Sequence, residues 1–377
     1  MSGRRRDAPA PHAATVGPVH IIGTGLIGAS VGLGLRSLGV DVSLEDPSPT
    51  ALAVAEQIGA GRALGAKAPA PAPTIVVVAV PPDVAAEVTA AALDRFRQAT
   101  VTDVASVKAV VLAELRAKEA DLARYVGSHP MAGKEQAGPA AASADLFVGR
   151  PWVIVAAPET SPAAGLAVRA LAADLGSHPA YLDAAAHDAA VALVSHVPQI
   201  LSSLTAARLA EAPAAALDLA GQGLRDMTRI ARSDPNLWAA ILAGNGPAIA
   251  GVLREVRADL ERAIVALELG VAGATLGRAL VELSDLIASG GRGAARIPGK
   301  HGGAPRSFDV VRVLVPDRPG ELGRLFQEMG QWGVNLEDLA LEHGAGQLVG
   351  LAAIAVASGE GRALAANLER AGWRVLV

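Results

Sequence analysis

Hydrophobic positions fall into three regimes along the chain. Between residues 19 and 157, short apolar runs alternate with helical stretches: VHII, a glycine-rich turn and helical segment, VSLED, then TIVVVAV (74–80), TVTDV (100–104), RYVGSHP (124–130) and PWVIVAA (151–157). Runs of that length and β-branched content predict strands, and the unbroken TIVVVAV predicts one buried on both faces of a parallel sheet. From 183 to 286 the strands stop, and Ala, Leu and Val recur at helical spacing, interrupted at Pro198, Pro213, Pro235 and Pro247. From FDVVRVLVP onward the pattern returns to strands in the order βαββαβ, a ferredoxin-like split unit.

The first turn carries chemistry. Gly23, Gly25, Leu26, Ile27 and Gly28 form GTGLIG after a strand and before a helix, where the backbone turns tightly and meets a pyrophosphate at the helix N-terminus. A lone GxGxxG is weak. Here Asp46 follows Gly28 by 18 residues at the end of the second strand, placed either to accept from both ribose hydroxyls or to cap the turn before Pro47; Glu45 is its rival. Two acids with no arginine beside them disfavour a 2′-phosphate, so NAD is expected rather than NADP.

The expected organisation is an α/β Rossmann-like dinucleotide-binding domain (18–158), an all-α second domain (159–290), a Gly-, Pro- and basic-rich linker (291–306) and an α+β ferredoxin-like domain (307–377). Residues 1–17 carry Arg4, Arg5 and Arg6 with no apolar segment after them, so they read as a disordered extension rather than an export signal. Apolar stretches such as TIVVVAVPP are strand-sized, short of the roughly 20 residues of a membrane helix, so no membrane association is expected. A net charge of -4 offers no basic field for nucleic acid, which leaves small molecules as the expected partners. The absence of cysteine excludes disulfides, thiolate nucleophiles and Cys-ligated metal, and fits a cytoplasmic location.

In GSHPMAGKEQAG, His129 follows a strand on the carboxyl edge of the sheet, where open α/β sheets hold their ligands. It is the best candidate for a general base, the bland alternative being a histidine bonded to a loop carbonyl. Ser106 in DVASVK is either the N-cap of the following helix, a hydroxyl reaching the nicotinamide side, or both. In GLRDMTRIARSDPNLW, Arg225, Arg229 and Arg232 make one stripe of a helix, and Ser233 or Asp234 with Pro235 starts the next; such a corner suits carboxylate recognition. His187 and His196 lie nine residues apart, on roughly opposite faces of a straight helix, with His196 favoured as pocket-facing and His187 as a local helix contact.

Taken together, GTGLIGAS, DVASVK, GSHPMAGKE, HD with SHVP beyond it, TRIARSDPNLW and ARIPGKHG resemble the prephenate/arogenate dehydrogenase family in order and spacing. The resemblance implies an NAD-dependent oxidative decarboxylation without metal. It makes His129 the base, Ser106 an orienting neighbour, Arg229 the grip on the ring carboxylate, and His196 and Trp238 pocket walls. It also implies a homodimer or larger oligomer through the helical domain. Lys134 and Glu135, just after HPMAG, are candidates to face the far end of the substrate, a keto acid in prephenate and an amino acid in arogenate; both substrates stay open, with a lean to prephenate. The segment VPDRPGELGRLFQEMGQWGVNLEDLALE resembles an ACT domain, in which Asp317, Gly320 and Asn335 match an amino-acid site; tyrosine feedback and dimerisation alone are the two readings. Rivals are a 3-hydroxy acid or imine reductase, and a non-catalytic regulator that senses NAD and an amino acid.

Overall fold

The computed structural model describes residues 13–64, 72–134, 136–269, 276–298, 308–343 and 349–376. The chain divides into two compact units, one of residues 1–206 with 228–254 and one of 207–227 with 255–377.

The first unit is built on an eight-stranded sheet. In chain order come β1 (Val19–Ile22), α1 (Leu26–Ser37), β2 (Val42–Glu45), α2 (Pro49–Gln57), β3 (Arg62–Ala63), β4 (Ile75–Val78), α3 (Pro82–Arg95), β5 (Thr100–Asp103), α4 (Ala109–Ala117), β6 (Tyr125–Pro130), β7 (Pro151–Val155), α5 (Pro162–Asp174) and β8 (His178–Tyr181). The strand order is β3-β2-β1-β4-β5-β6-β7-β8, parallel except where β7 runs against β6. Order reverses between β1 and β4, so their carboxyl ends frame the crevice in which doubly wound sheets bind ligands. Ile75 and Val77 enter one core, with α1 and α5, while Val76 and Val78 enter the other, with α3 and α4. That two-sided burial is why the run reads as continuously apolar.

The sheet extends past Pro158, where the apolar pattern placed its end. β8 is HPAY, an edge strand with no apolar run to announce it, paired to β7 from Pro151↔His178 to Ile154↔Tyr181. The start of the chain also departs from expectation: residues 1–12 lie outside the described part, but Ala14 and Thr15 donate their N–H groups to Asp174.

A continuous helical run, α6 (Ala184–Val191), a π-helical segment (Ala192–His196) and α7 (Val197–Ala207), follows β8. By length and composition it is apolar enough to cross a membrane, although His187, Asp188, His196 and Pro198 interrupt its apolar run in the sequence. Its buried His187, Asp188 and His196 make polar contacts within the first unit, as a core helix does. Next come α8 (Ala214–Leu217), α9 (Gln222–Thr228), a 3₁₀ turn (Arg229–Arg232), α10 (Pro235–Gly244), α11 (Gly246–Leu269) and α12 (Leu276–Ala294). Because α9 ends at Thr228, Arg225 and Arg229 do not share the continuous helical stripe the spacing suggested. Asp234 is the residue that caps α10, accepting from Asn236 and Leu237 N–H. Helix α12 runs through Gly290, Gly291 and Gly293 to Ala294, into the segment expected as linker; 299–306 of that linker lie outside the described residues.

In the second unit β9 (Phe308–Pro316), α13 (Glu321–Gln331), β10 (Asp338–His343), β11 (Val349–Ala357), α14 (Gly361–Arg370) and β12 (Arg374–Leu376) form the expected βαββαβ order. The four strands pair antiparallel as β10-β11-β9-β12. Val311, Val313 and Val315 of β9 alternate into a core with Leu325 and Met329 of α13 and Leu364 and Leu368 of α14.

Candidate active site

The cofactor edge begins at the glycine turn. Gly23 has φ +96°, and a Cβ there would meet Ala79 O at 2.3 Å; a Cβ on Gly28 would meet Gly23 O at 1.9 Å. A Cβ on Gly25 would meet nothing within 4 Å. Gly23 and Gly28 are therefore glycine so that turn, strand and helix can touch, whereas Gly25 leaves open space before α1. Gly25 is the N-cap and supplies no side-chain cap, so the first-turn N–H groups beside Leu26 and Ile27 keep their affinity for an anion. This cradle fits a dinucleotide pyrophosphate.

Asp46 does cap its turn, through Ser48 N–H on Oδ1 at 2.8 Å. Its Oδ2 accepts from Thr24 N–H at 2.6 Å and Thr24 Oγ1 at 2.9 Å, tying the end of β2 to the glycine turn. Carboxylate oxygens accept more than one bond, so this leaves capacity for a ribose hydroxyl. Glu45 is engaged elsewhere, with Arg95 at 2.7 Å and with buried His20 at 3.3 Å. Burial pulls the His20 pKa down against the opposing pull of Glu45. The fold thus brings an arginine to the acidic pair that no local sequence signal announced, and Glu45 occupies it.

His129, the penultimate residue of β6, stands in a relay. Its Nδ1 lies 2.9 Å from His187 Nε2, and His187 Nδ1 lies 2.8 Å from Asp188 Oδ1. Asp188 also accepts from Lys108 N–H and Ala109 N–H, each at 2.9 Å, so a carboxylate from α6 closes the amino end of α4. Asp188 is held below its ordinary pKa because hydrogen bonds from His187 and these two N–H groups outweigh the burial that raises it. The His129 pKa is pushed well below 6.5 by burial first, then by His187, Lys108 and His196. A neutral imidazole is the form that accepts a proton.

Ser106 lies on the bend between β5 and α4 and is not an N-cap; α4 begins at Ala109, and Asp188 supplies the capping oxygens. Beneath the bend Lys108 is buried against Asp103, whose other oxygen accepts from Tyr125 OH at 2.6 Å. Burial lowers the Lys108 pKa against the pull of Asp103, and raises that of Tyr125.

His187, expected as a local helix contact, instead links His129 to Asp188. A nine-residue separation puts two side chains on opposite faces only of a straight α-helix. The π segment between them turns less per residue, and His196 comes round to the same buried cluster: Asn245 Nδ2 contacts both Asp188 O (2.8 Å) and His196 Nδ1 (3.1 Å). Only Pro198, just beyond, hinted at an irregular helix. His196 stacks edge-on to Trp238 at 6.1 Å, and burial lowers its pKa to about 4.

Arg229 opens the exposed 3₁₀ turn, which Gln199 braces by donating to Ile230 O at 2.9 Å. Lys134 is exposed and donates to Ala141 O at 2.8 Å; Glu135 lies outside the described residues. In the second unit Asp317 and Gly320 line a cavity of about 370 Å³ with Val315, Arg318, Leu322 and Leu341. Asn335 is not in that lining and donates to Glu337 at 2.9 Å instead.

Residues 31–179 match the family model for the prephenate dehydrogenase nucleotide-binding domain, and 183–277 match that for the prephenate dehydrogenase dimerization domain. The chain belongs to the prephenate dehydrogenase family. Among relatives of that family, a probable prephenate dehydrogenase, NovF, of Streptomyces niveus is 40% identical over 83% of this chain and 87% of its own length. The prephenate dehydrogenase of Aquifex aeolicus, solved with hydroxyphenyl propionate and NAD+, is similar with TM-score 0.63 and 26% identity, over 73% of this chain and 97% of that one. A Synechocystis arogenate dehydrogenase is similar with TM-score 0.56 and 25% identity, over 71% and 97%. Both prephenate dehydrogenase domain matches begin or end near β8, the strand that carries the sheet beyond Pro158.

Proposed function

We propose that this family member oxidatively decarboxylates prephenate to 4-hydroxyphenylpyruvate with NAD, with His129 as the base. The observation that carries the reading is the Asp188–His187–His129 relay at the carboxyl edge of the sheet. The glycine cradle and Asp46 would hold NAD, which would accept the hydride leaving ring C4. His129 holds the proton of the ring hydroxyl at Nε2. Ser106, on the bend beyond β5, orients the reacting groups, and Arg229 grips the ring carboxylate with charge-assisted bonds. Loss of CO₂ needs no acid from the protein, because the ring takes up the electrons as it becomes aromatic. His196 and Trp238 wall the pocket, and Lys134 is a candidate for the far end of the substrate, as is Glu135 by its place in the sequence alone.

Arogenate is the second reading, favoured by the likeness to an arogenate dehydrogenase structure. The C-terminal βαββαβ unit is read as an ACT domain whose cavity beside Asp317 and Gly320 takes tyrosine as a feedback ligand; Asn335, the third residue matched by resemblance, does not line that cavity. The enzyme is read as a cytoplasmic homodimer or larger, paired through the helical domain.

NADH formation with prephenate and with arogenate, in the wild type and His129→Ala, tests this. Turnover that prefers one substrate and collapses in the variant is expected. NAD binding without turnover of either would overturn the reading in favour of a regulator.

A further inference from the structure

We propose that Asp188 and Asn245 form a buried template fixing two site histidines in opposite tautomers, so that His129 presents a bare Nε2 that accepts and His196 presents an Nε2–H that donates. This rests on the reading that both rings face the substrate.

The polarity of each contact follows from groups with only one role. The Asp188 carboxylate accepts and cannot donate when ionised, so the proton between it and His187 sits on His187 Nδ1. In neutral His187 the other nitrogen, Nε2, is then an acceptor. The 2.9 Å contact to His129 Nδ1 therefore carries its hydrogen on His129, leaving His129 Nε2 with a lone pair. On the other branch, the Asp188 backbone carbonyl only accepts, which fixes the facing atom of Asn245 as its NH₂ nitrogen. That group has two hydrogens, and the second points at His196 Nδ1 at 3.1 Å. His196 Nδ1 is thus the acceptor, and its proton is on Nε2. Both rings stay neutral at neutral pH, because burial holds their pKa values down.

One residue anchors both branches, Asp188 through its carboxylate on one side and its carbonyl on the other. Asp188 is itself pinned by Lys108 and Ala109 N–H, and Asn245 is buried at the junction of α10 and α11. Such a pair of rings is complementary to a ligand that offers a hydroxyl hydrogen to one imidazole and a carboxylate or carbonyl oxygen to the other. A substrate presenting two acceptors to them would leave a lone pair facing a lone pair. Asp188, His187 and Asn245 act through their neighbours and are positioning residues.

Neutron diffraction from the perdeuterated full-length protein at neutral pH reads the protons directly. Deuterium is expected on His129 Nδ1 and not Nε2, and on His196 Nε2 and not Nδ1. The reverse on either ring, or both nitrogens of either ring occupied, overturns the template. Kinetics give a second readout: His187→Leu should lower kcat about 10-fold or more with little change in KM, and Asn245→Leu should raise KM for the substrate about 10-fold with little change in kcat. Parallel losses in both parameters from both variants would overturn the division of roles. If His129→Ala kept full turnover while the deuterium positions were as stated, the catalytic reading would fall and the template would stand.

Discussion

Asp46 grips Thr24 twice with one carboxylate oxygen, taking both its N–H and its hydroxyl hydrogen. The acid at the end of β2 therefore shapes the glycine turn as well as being the residue proposed for the ribose. Asp46→Ala should raise the NAD dissociation constant roughly 10- to 100-fold, the loss of one or two hydrogen bonds to a charged acceptor. Titration calorimetry would measure it, and an unchanged affinity would show that neither role matters.

Gly25 and Gly28 separate binding from folding. Gly28→Ala forces a Cβ to 1.9 Å from a backbone oxygen and should lower the melting temperature. Gly25→Val adds bulk where nothing lies within 4 Å and should weaken NAD binding about tenfold or more with the melting temperature kept. Melting curves and NAD titrations on the two variants check the contrast.

His129→Ala should cut kcat about 10²- to 10⁴-fold while NAD still binds, since the ring lies at the end of β6 and the cradle follows β1. Because its pKa lies well below 6.5, kcat/KM should show no histidine-like fall on going from pH 8 to 6.5. An acid limb centred near 6.5 would contradict the geometry.

Stability has a related pH dependence. The folded pKa of His196, about 4, is below the ordinary 6.5, so the unfolded chain binds this proton first as pH falls. Its effect is absent above about pH 6.5 and destabilises progressively down to about pH 4, by roughly 3 kcal/mol at full extent. His129 shifts in the same direction. Denaturant midpoints at pH 7.5 and 5 should differ less in His196→Gln than in the wild type.

Lys108 and Asp103 are a buried pair. Lys108→Met alone leaves a carboxylate unpaired apart from Tyr125 OH and Ala105 N–H, and should cost about 3–5 kcal/mol; the double variant with Asp103→Asn should recover part of it. Chemical denaturation of the two single variants and the double variant would decide the matter, and strict additivity would refute coupling.

The sheet, its glycine turn and the ferredoxin-like unit were legible because each rests on local signals: apolar runs, glycines where a Cβ cannot fit, and period-two alternation. What escaped was non-local or irregular. The spacing of His187 and His196 separates them only in a straight helix, and nothing in ALVSH announces a π turn. Ser106 looked like a cap because the true capping oxygens come from Asp188, 80 residues further from Lys108 in the chain. Arg95 reaches Glu45 across 50 residues. Edge strand β8, polar and proline-bearing, gave no hydrophobic signal at all.

The carboxylate that closes α4 belongs to the segment matched as the dimerization domain, while His129, the proposed base it reaches through His187, belongs to the nucleotide-binding one. Exchanging either module alone would break these contacts unless the replacement carried the same pair. A chimera that took its helical half from a relative lacking a matching His–Asp pair would import a pocket and, with it, lose the setting of its own base.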